Sequence, residues 1–315
     1  MKLATFARLD GRAALAIVDT ERAQLLDLDA AARASGRPES AFESMLALID
    51  AGEPGLERAR QWAREWPIAQ ALPLAGTRLL SPLPEPRQMR DCLVFEQHLL
   101  NAMKTWELRT GRPSAPISPL WYQRPTWYKC NRFSVVGHEA QVRWPPYAEL
   151  MDFELELACV IGRRGCDIPQ SEAHQHIFGF TIFNDFSARD VQMDERPLGM
   201  GPMKGKDFDT GNVLGPWIVT TDEIGDPQAL EMSVRVNGER WGGGNSRDMH
   251  HSFAAILAFV SRSETLHPGE VIASGTVPTG CGLELNRFLN PGDVIELEIE
   301  RIGVLRNRIV RPPSR

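Results

Sequence analysis

The sequence predicts a mainly β fold with some α, of the α+β type, in which a small N-terminal α+β domain precedes a large β-rich one. Three observations carry this reading. Beyond about residue 85, runs with period-two alternation outnumber helical stripes. No regular strand–helix–strand alternation occurs, which argues against a doubly wound parallel sheet. Between the two parts, Pro67, Pro73, Pro82, Pro84 and Pro86 interrupt regular structure, so the domains are set at residues 1–80 and 85–315.

Taken in order, residues 2–28 hold three short apolar runs, Leu3–Ala7, Ala14–Val18 and Gln24–Leu28, with Asp10-Gly11 as a hairpin turn between the first two. A small antiparallel sheet follows from them. Ser40 and Glu43 fit a capping box, and Phe42, Met45, Leu46 and Ile49 form one stripe, so a helix is expected over Ser40–Asp50. A second should start at Pro54, a good first-turn residue, and end at Glu65. Next, Asp91 to His98 opens a segment whose helix runs through Leu100, Met103 and Trp106 until Gly111 and Pro113. Trp121, Tyr122, Trp127 and Tyr128 read mainly as core or interface aromatics.

The stretch Met151–Gly162 organises the rest. Asp152, Glu154 and Glu156 alternate with Phe153, Leu155 and Leu157, so a strand would carry the three acids on one face. Ala158–Ile161 is apolar on both faces, which sends that strand into an interior. Carboxylates at the edge of an interior need compensation, and a hard divalent cation supplies it. A solvated acidic face explains the spacing equally well. Glu296, Glu298 and Glu300 alternate in the same way opposite Ile295, Leu297 and Ile299.

Beyond this strand, Ser171–His176 reads as helical with His174 and His176 at its surface, and Gly179–Asp185 as an apolar strand ending in an acid. Asn237-Gly238 marks a hairpin, Gly242–Gly244 a flexible turn, and Ser252–Ser261 an apolar helix. Val271–Ala273, Gly282–Leu285 and Val294–Glu300 read as strands.

Composition excludes several functions. A net charge of −6 gives no reason to expect nucleic acid or an anionic membrane as partner. No apolar run reaches the length of a membrane span, and Met1–Asp10 is not a secretory signal. No glycine-rich nucleotide motif is present. The 5 cysteines are scattered, with no C-x-x-C pair, so zinc is not indicated and a reducing cytoplasm fits best.

Asp91 and His98 lie seven apart, Glu154 and Glu156 two apart, and Asp185 stands in Thr-Ile-Phe-Asn-Asp-Phe-Ser-Ala-Arg-Asp-Val-Gln. With Gly-Lys-Asp-Phe-Asp-Thr and Ala-Ser-Gly-Thr following in order, this set resembles the fumarylacetoacetate hydrolase superfamily from about residue 85 onward. The resemblance implies a mixed β-sandwich roll holding Mg²⁺, or Ca²⁺ or Mn²⁺ in its place. Residue by residue, it makes Asp91, Glu154, Glu156 and Asp185 metal ligands, His98 the general base and Glu284 its orienting acid. Lys206 would stabilise an oxyanion, and Arg189, Gln192, Tyr128 and Thr276 would bind substrate, with Thr210 near the metal. The implied reaction is hydrolysis of a C–C bond in a β-diketo acid such as an acylpyruvate, through an enolate that the metal stabilises. A tautomerase or decarboxylase of a 2-oxo acid on the same scaffold is the alternative. A homodimer is implied as well. Leu93 stands where fumarylacetoacetase has a tyrosine, and Asn101 where the acylpyruvase-like branch has its catalytic glutamate, which makes Glu284 the partner of His98 here.

Overall fold

The computed structural model describes residues 1–311. The chain opens with strands β1 (Lys2–Ala7), β2 (Ala13–Asp19) and β3 (Gln24–Asp27), then helices α1 (Leu28–Ala34) and α2 (Met45–Glu65), then β4 (Ala71–Pro73). Strand β5 (Met89–Cys92) leads into α3 (Glu96–Thr110), α4 (Pro119–Gln123), β6 (Trp127–Lys129), β7 (Val135–Val136) and β8 (Gln141–Arg143). The central run is β9 (Met151–Asp152), β10 (Leu155–Ile161), β11 (Ile177–Asp185), β12 (Ser187–Ala188), α5 (Arg189–Glu195), β13 (Asn212–Thr220) and α6 (Thr221–Ile224). The last part is β14 (Glu231–Val236), β15 (Glu239–Asn245), α7 (Phe253–Val260), β16 (Val271–Ala273), α8 (Gly282–Leu285), β17 (Val294–Ile299) and β18 (Gly303–Val310).

These strands build an 11-stranded sheet in the order β4-β3-β2-β1-β13-β11-β10-β16-β5-β6, with β7 beside β13. A 5-stranded sheet, β15-β14-β17-β18-β8, packs against it. Alternation along β10 explains the layers. Leu155, Leu157, Cys159 and Ile161 join Val234, Leu297 and Ile299 in the core between the sheets. Ala158 and Val160 instead belong to a second core on the opposite face, which includes Leu48, Ile49 and Ala59 of α2. The mainly β, α+β expectation therefore holds, as a sheet sandwich with helices covering one side.

The expected boundary near residues 80–85 separates no two sheets. Lys2 and Leu3 of β1 pair with Val219 and Ile218 of β13, so the N-terminal strands extend the central sheet. The proline-rich segment also contributes a strand, since β4 pairs with β3.

Several local expectations are corrected. Ser40–Phe42 is one 3-10 turn, and the helix begins after Ser44, whose hydroxyl caps the Ala47 amide at 3.1 Å. The two expected helices form one long element, α2, kinked at Gly52, where φ is 59°. Gly242–Gly244 belongs to β15 rather than a turn. The reason is close approach, because a Cβ on Gly242 would lie 2.0 Å from the Thr279 carbonyl and one on Gly243 2.2 Å from that of Met232. His176 is buried, with Nδ1 3.0 Å from the Arg163 carbonyl, and is not a surface residue. Gly282–Leu285 is the short helix α8, not a strand.

Candidate active site

The strand order brings the acids together. Ala158 of β10 is paired with Ala273 of β16, which is paired in turn with Asp91 of β5. Across the other edge of β10, Glu156 pairs with Phe183, and β11 ends two residues later at Asp185. Asp91, Glu156 and Asp185 thus come from three strands, and one oxygen from each lies within 4.8 Å of the others. All three are buried. The acidic face of the Met151–Ile161 stretch is therefore no solvated face, unlike that of β17.

Burial foremost, and then the neighbouring carboxylates, pushes Asp91 and Glu156 well above the ordinary carboxylate range. Asp91 Oδ1 and Asp185 Oδ1 are buried without a hydrogen-bond partner among the described residues. Gly275 N–H donates to Glu156 Oε2 at 3.0 Å, and the Thr276 hydroxyl to Oε1 at 3.4 Å. Gly275 takes φ 85°, and a Cβ there would lie 2.5 Å from the Cys92 carbonyl, so the Ala-Ser-Gly-Thr turn requires glycine at that position. A cage of hard oxygen atoms with open acceptor positions fits Mg²⁺ or a similar divalent cation.

Glu154 stands outside that trio. Its Oε1 accepts from Arg189 Nη2 at 2.6 Å, and its Oε2 is ion-paired with Lys206. Burial alone would raise Glu154, but Arg189 and Lys206 outweigh it and hold this carboxyl low. Lys206 Nζ also donates to Asp185 Oδ2 at 2.6 Å, and Tyr128 Oη donates to that same oxygen at 2.6 Å. Of the four carboxylates expected as ligands, Asp91, Glu156 and Asp185 converge, while Glu154 is ion-paired with Arg189 and Lys206.

Sequence reasoning missed the part played by Asp152. Its Oδ2 accepts from Arg189 Nε at 2.8 Å and from Leu283 N at 2.9 Å, while Oδ1 accepts from Gly282 N at 2.7 Å. One carboxylate thereby fixes the guanidinium and caps the first turn of α8. Its place on the same face as Glu154 and Glu156 was the signal that could have found it. Gln192 lies one turn along α5 from Arg189 and accepts its Nη1 at 2.9 Å.

Opposite the acids, His98 sits buried on α3, with Nδ1 2.8 Å from Glu284 Oε1. Asn101 Nδ2 and Thr279 N hold Glu284 Oε2 at 2.7 and 2.9 Å. Thr210 does not line the cavity; its hydroxyl accepts from Arg143 N at 2.8 Å. The aromatic segment mostly lines the site or packs inside the chain. Trp121 Nε1 donates to the Leu93 carbonyl at 2.6 Å, and Trp127 and Tyr128 form a wall. Asp91, Glu154, Glu156 and His98 open into one cavity of about 450 Å³, lined also by Leu93, Lys206, Gln192 and Thr276.

A sandwich that sets a buried carboxylate cage and a histidine–carboxylate pair at one cavity has the layout of an enzyme active site. The chain belongs to the fumarylacetoacetate hydrolase superfamily: the model for the fumarylacetoacetate (FAA) hydrolase C-terminal domain matches residues 95–310. A mitochondrial oxaloacetate tautomerase of Homo sapiens is 42% identical over 271 residues, covering 85% of this chain and 80% of its own. An oxaloacetate tautomerase of Bacillus subtilis (strain 168) is 30% identical over 305 residues, 93% of this chain and 94% of its own. Among solved structures, a fumarylacetoacetate hydrolase from psychrophilic Exiguobacterium antarcticum superposes with TM-score 0.77 at 29% identity, covering 99% of this chain and 100% of that one. No helix among the described residues is long and apolar enough to cross a membrane.

Proposed function

We propose that the chain is a divalent-metal-dependent tautomerase that interconverts the keto and enol forms of a 2-oxo acid of the oxaloacetate type. The observation that carries this reading is the activity named for relatives 42% and 30% identical over most of this chain. It moves the weight from the C–C hydrolase that the motifs imply to the tautomerase alternative.

Asp91, Glu156 and Asp185 would hold the cation, Mg²⁺ by preference, with Glu154 alongside in the grip of Arg189 and Lys206. When bound, the cation supplies Lewis-acid polarisation of the substrate's carbonyl. His98 acts as the base. Its Nδ1 is taken by Glu284, so Nε2 is the nitrogen left for the substrate. Nε2 removes a proton from C3, the C–H electron pair becomes the C2–C3 double bond, and the imidazolium then gives that proton to the carbonyl oxygen, returning His98 to its neutral form. The reverse steps regenerate the ketone, so no water or co-substrate is consumed. Glu284 favours the imidazolium formed on the way, and Asn101 and Thr279 keep Glu284 in register.

The His98–Glu284 pair equally suits activation of water, which keeps C–C hydrolysis of a β-diketo acid as the second reading. We take the protein to be a homodimer, as the family resemblance implies, in a reducing cytoplasm; the free cysteines, of which Cys92, Cys130, Cys159 and Cys281 are buried, support the reducing environment. The deciding experiment incubates the Mg²⁺-loaded protein with oxaloacetate and with acetylpyruvate. Accelerated exchange of the C3 protons of oxaloacetate with solvent deuterium, without new carboxylic acids, is the outcome expected. Release of two acids from acetylpyruvate, with no accelerated exchange in oxaloacetate, would replace the proposal with the hydrolase.

A further inference from the structure

Positive charge around the cavity is unevenly committed. Its cationic lining residues are Arg189, Lys206 and Arg196. The first two are buried against Asp152, Glu154 and Asp185. Arg196 makes no ion pair among the described residues, and its guanidinium lies over the Trp106 ring, 5.9 Å from the centroid. It starts the turn Arg196–Leu198 that follows α5.

A second cavity, of about 660 Å³, adjoins the first, and Arg196 lines both. Leu93, Leu99, Met103 and Trp127 are likewise shared, so the passage between the two cavities is mainly apolar, with Arg196 exposed beside it. A carboxylate entering such a space needs a charged donor. Arg189 and Lys206 are unsuited to that task, because leaving their own buried carboxylates unpaired is costly. Arg196 has its planar fork free, and the indole face favours the cation beside it.

We propose that Arg196 is a specificity-determining residue: it anchors a carboxylate at the end of the substrate remote from Asp91, Glu156 and Asp185, and so selects 2-oxo dicarboxylates over 2-oxo monocarboxylates. This deepens, and rests on, the reading that the cavity takes a 2-oxo acid. The 2-oxo carboxylate end lies toward the acid cage, the carbon chain passes the apolar wall, and the distal carboxylate meets the fork of Arg196.

The test pairs two acids of equal length, 2-oxoglutarate and 2-oxopentanoate, which differ only in a terminal carboxylate against a methyl group. Their affinities for the Mg²⁺-loaded full chain are measured by calorimetry. The wild type should prefer the dicarboxylate by about 10- to 100-fold, the range of a charge-assisted hydrogen bond. R196Q should bring that ratio close to unity, and R196K should leave an intermediate ratio, which a merely structural role would not produce. A wild type without preference, or R196Q with the preference intact, overturns the proposal. Because the readout is binding, it stands apart from the exchange assay with oxaloacetate, which tests the tautomerase reading by itself.

Discussion

His98 Nδ1 lies 2.8 Å from Glu284 Oε1, and the two side chains are brought together across 186 residues of chain. That contact ties α3 to α8, both of which line the cavity, through His98 and Met103 of the first and Leu283 of the second. Glu284→Gln preserves the shape and removes the charge that stabilises an imidazolium. The expected result is a fall in kcat on the order of 100-fold with little change in KM. Steady-state kinetics on oxaloacetate check it, and a variant with unaltered kcat would remove His98 from the role of base.

The division among the four acids gives a second prediction. In the presence of chelator, Glu154→Gln should lower Tm, because Arg189 and Lys206 would face a neutral amide in a buried setting. The loss expected for breaking such a pair is about 3–5 kcal/mol. Glu156→Gln should hold or raise Tm under the same conditions, since it relieves the crowding with Asp91. It should also weaken Mg²⁺ binding by more than about 10-fold in calorimetry. Equal thermal effects from the two variants would show that the division is not real.

These contrasts show what could be read from residues alone. Period-two alternation places Asp152, Glu154 and Glu156 on one face, and that much was legible. Whether the face is wet or dry was not, because Glu296 and Glu298 alternate identically on β17. Both strands are flanked on two sides, β17 by β14 and β18; the difference lies in what covers the face, since Ala158 and Val160, on the same face as Glu156, belong to a buried core that includes Leu48, Ile49 and Ala59 of α2. Glu284, expected to orient His98, does lie against it, but on a helix where a strand was expected. Gly-Leu-Glu-Leu alternates like a strand, and its helical turn is nucleated by the Asp152 carboxylate, 130 residues earlier in the chain. A cap supplied from so far away leaves no local signature. The same holds for the N-terminal strands, whose pairing with β13 is set by register rather than by any pattern within residues 1–28.

The metal-free and metal-bound proteins should respond oppositely to pH. Asp91 and Glu156 have folded pKa values raised by burial and by neighbouring acids. Their neutral forms favour the folded state, so their contribution is full below the unfolded carboxylate pKa of about 4 and is lost as pH rises through the raised values. A divalent cation competes with those protons and binds better as they leave. The Tm increment from adding Mg²⁺ should therefore grow steadily from about pH 5 to about pH 8. Thermal melts with Mg²⁺ and with chelator across that range are the measurement, and an increment independent of pH would exclude Asp91 and Glu156 as the cation's ligands.

Asp152→Ala tests the positioning of Arg189 and α8 together. It leaves the Arg189 Nε and the Gly282 and Leu283 amides without their shared acceptor. Breaking this buried pair should cost about 3–5 kcal/mol, and kcat should fall as well because Glu284 rides on α8. Asp152→Asn retains one acceptor oxygen for the helix cap and should recover part of the stability. If Asp152→Ala melts like wild type, the carboxylate does not hold the two elements.

Removal of residues 1–80 tests what the N-terminal segment does. Strand β1 covers the edge of β13 with the Lys2–Val219 and Leu3–Ile218 pairs. Leu48, Ile49 and Ala59 of α2 share a buried core with Ala158 and Val160 of β10, the strand that carries Glu156. Truncation would expose both an unpaired strand edge, which invites association with other chains, and an apolar sheet face. The truncated protein is expected to aggregate, or to melt well below the full chain and lose its Mg²⁺ affinity with the packing behind Glu156. Size-exclusion chromatography with light scattering, followed by calorimetry, makes the measurement. A truncated protein with the oligomer size, Tm and Mg²⁺ affinity of the full chain would mean that residues 85–315 fold as a self-sufficient unit and that the shared sheet adds nothing to the site.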